Sequence, residues 1–241
     1  MTNLRDIWVY LAANPLLHLT MTLAAYSAGF ALYRRARFNP LVNPVLIAVA
    51  LLVAILLITG TGYQTYFQGA QFVHVLLGPA VVALAVPLYR QVERVRRSGF
   101  AIFASILTGS VVAAASAIGA VWLFGGSRTA IVSIAPKSVT VPVAMGIAEQ
   151  LGGLPSLTAV LVMLTGILGA MMGPPLLNRL GIEDWAARGL AMGVTAHGIG
   201  TARALQVNEL AGAFSGLAMG LNAMATSVLL PPLWHLLSRL L

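Results

Sequence analysis

Apolar residues fill long runs along this chain, and short clusters of charge separate the runs. A helix needs about 20 apolar residues to cross a hydrocarbon core of roughly 30 Å, and its backbone amides must bond within the segment because lipid offers them no partner. Runs of this length predict an all-α membrane protein, a polytopic bundle of about seven to eight transmembrane segments. The segments are predicted at about 14–33, 41–59, 72–89, 100–124, 128–150, 154–177, 186–207 and 211–237.

Two of the predicted segments are interrupted by helix breakers. In the fifth, Pro136 and Pro142 lack amide donors and disfavour helix in the residue before each of them. In the seventh, Gly198 and Gly200 interrupt an apolar run beside His197. Irregular backbone at membrane depth needs shielding by protein or a cavity. We therefore expect two discontinuous helices whose breaks, at the prolines and at the glycines, are non-helical and face each other.

The route of the fifth segment through the membrane has two interpretations. Half-helices of nine or ten residues rise about 14 Å each, close to half of the hydrocarbon thickness, which favours a complete crossing. Arginines favour cytoplasmic loops, so the basic loops 34–40 and 90–99 predict an N-terminus outside. After a crossing, the loop with Arg179 and Arg188 lies outside, whereas a re-entrant hairpin keeps it inside. The crossing is favoured because two acidic residues neutralise that loop.

A faint internal repeat with an offset of 57 positions accompanies the breaks. Interrupted segments in corresponding positions of two halves are typical of inverted-repeat secondary carriers. Helices that share small-residue packing give similar glycine patterns. The matched positions are Pro79, Val82 and 107–109 in the first copy and Pro136, Val139 and 164–166 in the second.

Composition narrows the class of protein. Hydrophobic residues make up 59% of the chain, charged residues 8%, and the mean hydropathy is +0.90, which excludes a soluble domain. The net charge of +8 has no accompanying stripe of interleaved aromatic residues, so it indicates orientation and lipid contact and not nucleic-acid binding. Cysteine is absent and the four histidines lack metal-ligand spacing, so we expect no metal site and no enzyme active centre.

Charged and hydroxyl side chains in the interrupted segments are the candidate binding groups. A charge such as Lys137 costs at least roughly 2.5 kcal/mol at mid-bilayer unless a partner, a cavity or a ligand compensates it. Charged and hydroxyl groups at interrupted helices are therefore candidates for binding a ligand. The candidate substrate-binding residues are Lys137, Ser138, Thr140, His197, Gly198, Gly200, Thr201 and Arg203, supported by Pro136, Pro142 and Asn222.

Glu149 and His197 are the candidate proton carriers. Glu149 follows Pro142 by seven residues, two helical turns along one face, which would place it on an access path from the break. It could equally end its half-helix. Histidine titrates nearest to neutral pH. We therefore expect a coupling proton or sodium ion and no organic cofactor.

Each candidate also has a structural interpretation. Lys137 could extend to the lipid interface, and the hydroxyls beside it could bond to backbone carbonyls. His197 could be a packed, hydrogen-bonded histidine. Arg203 could pair with Glu209 or lipid phosphate, or its planar fork could bind a carboxylate. Asn222 could join helices.

The motif residues resemble one known family. The stretch APKSVTVPVAM at 135–145 continues through EQLGGLPSLT at 149–158. Two further stretches follow, AHGIGTARAL at 196–205 and GAFSGLAMGLN at 212–222. All are similar to the LrgB/CidB family, and the resemblance runs from about 41 to 237.

The resemblance implies one of two functions. Bacterial members are described as antiholin-like regulators of murein hydrolase export and autolysis, usually beside a small LrgA/CidA-like membrane partner. Plant relatives look like a plastid glycolate/glycerate translocator, and some bacterial pairs are associated with pyruvate transport. A pore does not require Lys, Glu, His and Arg at broken helices. The residues therefore favour a secondary transporter of small monocarboxylates, such as glycolate, glycerate, pyruvate or lactate, working by alternating access; the antiholin-like function is the alternative.

The organisation of the chain follows from the same interpretation. We expect one integral membrane domain over 1–241, in which residues 1–70 form scaffold or oligomerisation helices and residues 71–241 form the transport core. The expected location is the bacterial inner membrane, as a multi-pass protein. The expected partners are the carboxylate, membrane lipid, a second copy in a dimer and an LrgA/CidA-like protein.

Overall fold

The architecture is that of a computed structural model, which describes residues 14–39, 42–76, 79, 82–83 and 85–238. Regular structure in these residues is entirely α-helical, which confirms the all-α prediction. The chain forms two compact units, residues 1–83 and 84–241. Sequence analysis predicted a boundary after residue 70. Among the described residues, four helices are long and apolar enough to cross a membrane: Pro15–Arg35, Gly99–Leu123, Pro155–Arg179 and Glu209–Leu237.

The first unit contains the described helices α1 (Pro15–Arg35), α2 (Pro44–Thr59) and α3 (Tyr63–Val75). The first two begin alike: Asn14 and Asn43 each accept a bond from a first-turn amide, and a proline follows. The stretch 60–71, left between the predicted segments 41–59 and 72–89, is not a loop, because most of it belongs to α3. Its glutamines lower the hydropathy but are good helix formers. The predicted segment 72–89 lies partly outside the described residues.

The second unit contains the helices from α4 onward. Its loop at 90–99 holds one short helix, and each of its two interrupted segments forms a hairpin. The elements are α4 (Ala85–Arg90), α5 (Val92–Arg97), α6 (Gly99–Leu123), α7 (Arg128–Ile134), α8 (Val141–Gln150), α9 (Pro155–Arg179), α10 (Trp185–Val207) and α11 (Glu209–Leu237).

Hairpin 1 comprises α7, the non-helical tip 135–140 and α8. The chain after α8 returns to α7, because the Leu154 amide donates to Ser133 Oγ in α7 at 2.9 Å. Ile147 in α8 also joins one apolar cluster with Ile131 in α7. The crossing favoured by half-helix length is therefore wrong: the unwound tip lets the chain turn back, and half-helices of that length serve a hairpin equally well.

Hairpin 2 is α10, which folds back on itself at His197. In a straight helix, Trp185 and Val207 would lie about 33 Å apart, yet both line one cavity. Met192 in the first arm packs in one cluster with Ala204 in the second. A Cβ at Gly200 would lie 2.7 Å from the Met192 carbonyl oxygen, so the arms approach closely. The predicted crossing at 186–207 is therefore also wrong.

The two hairpins enter the second unit from opposite ends. Arg94 in α5 pairs with Asp184 at the base of hairpin 2, at 2.8 Å, and Arg90 in α4 pairs with Glu209 at the start of α11, at 3.1 Å. At the other end of α11, the Trp234 ring lies 5.8 Å below the guanidinium of Arg128, which begins hairpin 1. The unit thus alternates span, hairpin, span, hairpin, span.

Only the Leu-Thr-Gly part of the faint repeat at an offset of 57 follows this alternation, because Pro136 and Val139 lie at the tip of hairpin 1 whereas their counterparts Pro79 and Val82 precede α4. Its matched stretches 107–109 and 164–166 lie in α6 and α9, the two long helices that precede hairpin 1 and hairpin 2. Each pair of long helix and hairpin is oriented oppositely to the other.

Candidate functional site

The tips of the two hairpins meet in the middle of the second unit. Val139 at the tip of hairpin 1 packs against Val162 in α9. The carbonyl oxygen of the same Val162 accepts a hydrogen bond of 3.0 Å from His197 Nε2 at the tip of hairpin 2. The expectation that the two breaks face each other is thus consistent with these contacts, and Val162 lies where they converge.

Asn222 of α11 connects both tips directly. Its side-chain amide donates to the Ser138 carbonyl oxygen at 3.0 Å and to the Val194 carbonyl oxygen at 3.2 Å. Its Oδ1 accepts from the Ser110 hydroxyl of α6. Asn222 is fully buried. Sequence analysis predicted that Asn222 joins helices. In the structure Asn222 bonds to the backbone at both breaks.

The break in hairpin 2 falls on His197 itself. Its backbone has φ 40° and ψ −132°, a region that non-glycine residues rarely adopt, whereas Gly198 and Gly200 continue the helix of the second arm. The sequence assigned the break to those glycines. Gly200 is required for the close approach of the arms, while a Cβ at Gly198 would be in ordinary van der Waals contact with Met219.

Thr201 fastens the turn of hairpin 2. Its hydroxyl donates to the His197 carbonyl oxygen at 2.8 Å and exchanges a hydrogen bond of 2.9 Å with Ser215 of α11. Both hydroxyls are buried. Thr201 therefore holds the strained turn against α11.

Lys137, Ser138 and Thr140 occupy the tip of hairpin 1. The half-buried Lys137 ammonium lies 3.5 Å from Ser138 Oγ. No carboxylate forms an ion pair with Lys137 in the part of the chain that the structure describes. Thr140 occupies the N-cap position of α8, but its hydroxyl makes no capping bond. Pro142 lies in the first turn of α8, as the sequence predicted, and Pro136 is buried in the tip.

Two candidate residues lie away from the tips. Glu149 is exposed near the end of α8, at the base of hairpin 1. Arg203 lies six residues past His197, about 9 Å along the second arm, and lines a cavity of about 30 Å³ near the base of hairpin 2. Arg188 lines the same cavity, and its guanidinium is fixed by the Ile182 carbonyl and Asn178 Oδ1, both at 2.7 Å.

Several residues that shape the site were missed by sequence reasoning. Ser110 orients Asn222, Ser133 binds the chain that follows α8 to α7, and Ser215 holds Thr201. A Cβ at Gly166 of α9 would lie 2.6 Å from His197 Cε1, so only glycine leaves room for that ring. A signal for Gly166 existed, because it ends the repeated Leu-Thr-Gly triplet. No group of three metal-binding side chains occurs among the described residues.

Four membrane-length helices among the described residues define a multi-pass helical membrane protein, whose second unit contains the two polar hairpin tips. Residues 22–236 match the model of the LrgB-like family, and the chain belongs to that family.

Relatives of known name are similar over most of their length. The holin-like protein CidB of Staphylococcus epidermidis is 37% identical over 195 residues, which cover 81% of this chain and 85% of the relative. The uncharacterized protein YxaC of Bacillus subtilis is 38% identical over 216 residues, covering 90% and 94%. No solved structure matches this chain.

Proposed function

We propose that this protein is a secondary transporter of small monocarboxylates, with its substrate site at the meeting tips of the two hairpins. The observation that carries the proposal is Lys137, which lies at a tip with Ser138 Oγ as its neighbour and without a carboxylate ion pair among the described residues. A cation at membrane depth without a counter-charge is costly. A substrate carboxylate would supply that charge.

Helix ends add positive charge at the same place. Helix α8 and the second arm of hairpin 2 both begin at the tips, and the first amides of a helix carry partial positive charge. The Thr140 hydroxyl, which makes no capping bond, is a further donor. An ammonium, amides and hydroxyls suit a carboxylate with a neighbouring hydroxyl or keto oxygen, as in glycolate, glycerate, lactate and pyruvate. Arg203 and the glycines of hairpin 2 remain sequence predictions of substrate contacts.

The arrangement of the hairpins supports alternating access. One hairpin enters from each end of the unit, so each tip would separate the site from a different side of the membrane. Glu149 at the exposed base of hairpin 1 would serve as a coupling group on the route to that surface, with His197 at the tip. A proton or a sodium ion would drive accumulation.

The names of the staphylococcal relatives favour a second candidate function over the carrier. Those proteins are called holin-like, and an antiholin-like or holin-like regulator of murein hydrolase export and autolysis would agree with that name. The polar hairpin tips favour the carrier. Both candidates place the protein in the bacterial inner membrane, as a dimer or with an LrgA/CidA-like partner.

Reconstitution separates the two candidates. The protein is placed in vesicles with and without a CidA-like partner, and uptake of radiolabelled glycolate and pyruvate is measured under imposed proton and sodium gradients. A carrier gives saturable uptake with competition by unlabelled monocarboxylates. Nonsaturable leakage that includes a neutral sugar of similar size would refute the carrier and support a pore.

A further inference from the structure

Asn222 meets a specific need created by the two breaks. The Ser138 carbonyl lies in the unwound tip of hairpin 1, and the Val194 carbonyl lies in the last turn of the first arm of hairpin 2, where helix carbonyls lack intrahelical partners. An unpaired carbonyl costs several kcal/mol in a membrane interior. A single asparagine amide has two N–H donors, and Asn222 gives one to each carbonyl.

The orientation of that amide is fixed from a third direction. Ser110 in α6 donates its hydroxyl hydrogen to Asn222 Oδ1, which leaves the nitrogen facing the two tips. Ser110 and Asn222 are both buried, so water has no access to the hydrogen bond between them. These three hydrogen bonds of Asn222 connect α6, α11 and both hairpins.

We infer that Asn222 is a positioning residue that holds the two tips at one fixed separation, so that the tips move together with α11 as one body. This inference deepens the proposed function: the substrate site between the tips travels whole, and access changes by movement of the body and not by separation of the tips. Asn222 acts through its bonds to the two backbone carbonyls and to Ser110, and not by contact with substrate.

The first test measures tip separation and does not depend on transport. The chain has no cysteine, so an introduced pair carries the only spin labels. Gly146→Cys in α8 and Ala202→Cys in the second arm suit labelling, because a Cβ at Gly146 meets open space and Ala202 is exposed. Double electron–electron resonance in lipid nanodiscs should give one narrow distance for the parent protein.

Substitution at Asn222 should broaden that distance. Asn222→Asp keeps the size but replaces both N–H donors with a carboxyl group, which has at most one O–H donor. We expect a broad or two-component distribution, with Ser110→Ala giving a smaller broadening in the same direction. Ser227→Ala is the matched control, because its exposed hydroxyl bonds only within α11. Distances in both Asn222→Asp and Ser110→Ala that equal those of the control would overturn the inference. If Asn222→Asp does not fold, Ser110→Ala decides.

The second test divides binding from turnover. With radiolabelled glycolate as the probe, Asn222→Asp should raise KM about tenfold, the size expected for losing one or two hydrogen bonds that organise a site, while kcat changes less. Asn222→Gln, which keeps the amide, should recover part of the loss. An unchanged KM in Asn222→Asp would overturn the inference. If the parent protein transports no monocarboxylate, the proposed function fails, while the distance measurement still decides whether Asn222 fixes the tips.

Discussion

The two hairpins turn in the middle of the second unit, but the backbone conformation at the turn differs between them. Hairpin 1 unwinds six residues, 135–140, which include Pro136 and end just before the turn that holds Pro142, and its backbone turns without any residue of positive φ. Hairpin 2 turns at one residue, His197, whose φ of 40° is strained for a side chain of that size. A break made by proline is spread over several residues and leaves a cationic side chain at the tip. A break made by strain is compact and is held by Thr201, Ser215 and Val162.

The largest expected effect is at the cationic tip. Lys137→Met should lower monocarboxylate uptake by about 100-fold, because hydrogen bonds to charged groups contribute up to about 3 kcal/mol. Uptake into vesicles, with amounts matched by size-exclusion chromatography, provides the measurement. Arg96→Met is the control, since Arg96 is an exposed cation outside both hairpins. Equal uptake in the two variants would contradict the role of Lys137 in binding substrate.

At the strained tip, replacing His197 with alanine should destabilise the protein more than replacing it with glycine. Both His197→Ala and His197→Gly lose the bond to the Val162 carbonyl, but only glycine adopts φ 40° without strain. We expect His197→Ala to unfold with about 1–3 kcal/mol less stability than His197→Gly. Thermal unfolding in detergent measures the difference. The same pair at Ser138, which has no positive φ, should not show this preference for glycine, and a similar preference there would contradict the contrast between the tips.

A smaller loss of stability should follow from filling the space beside His197. Gly166→Ala places a Cβ 2.6 Å from His197 Cε1, and such overpacking costs about 1 kcal/mol or slightly more. Gly146→Ala is the control: it lies in α8 of hairpin 1 with open space around its Cβ, so it should gain up to about 1 kcal/mol. Equal melting temperatures would show that the ring is not seated against Gly166.

The smallest structural effect is expected at the base of hairpin 1. Glu149→Gln replaces an exposed carboxylate, so stability should change by less than about 0.5 kcal/mol. If Glu149 carries the coupling proton, proton-driven accumulation should fall while exchange between preloaded compartments continues, because exchange need not return an empty carrier. Counterflow and gradient-driven uptake in the same vesicles provide the measurement, with His197→Gln in parallel. Equal retention of both activities in both variants would remove these residues from the coupling mechanism.

Sequence reasoning found the breaks but not the paths of the chain around them. Proline chemistry located the tip of hairpin 1, because the missing amide is a local property of Pro136 and Pro142. Whether the chain continued or returned depended on the contact of Leu154 with Ser133, which is a tertiary contact with no local signal. In hairpin 2 the glycines indicated the right region, but the strain fell on His197, which is held by Val162 of α9 and by Thr201, itself bonded to Ser215 of α11.

The hydrogen bonds from Asn222 to the two tips also have a consequence for membrane insertion, because the tips are synthesised before Asn222. The Asn222 amide that bonds to the Ser138 carbonyl is synthesised 84 residues later. At about 5–20 residues per second, that interval lasts roughly 4 to 17 s, during which hairpin 1 has entered without its partner. Helix α11 emerges from the ribosome after both hairpins and therefore completes both of them at once. An insertion machinery that releases the earlier helices into lipid before α11 arrives would expose the Ser138 and Val194 carbonyls, so we expect this protein to be retained as a partly assembled intermediate until α11 has been inserted.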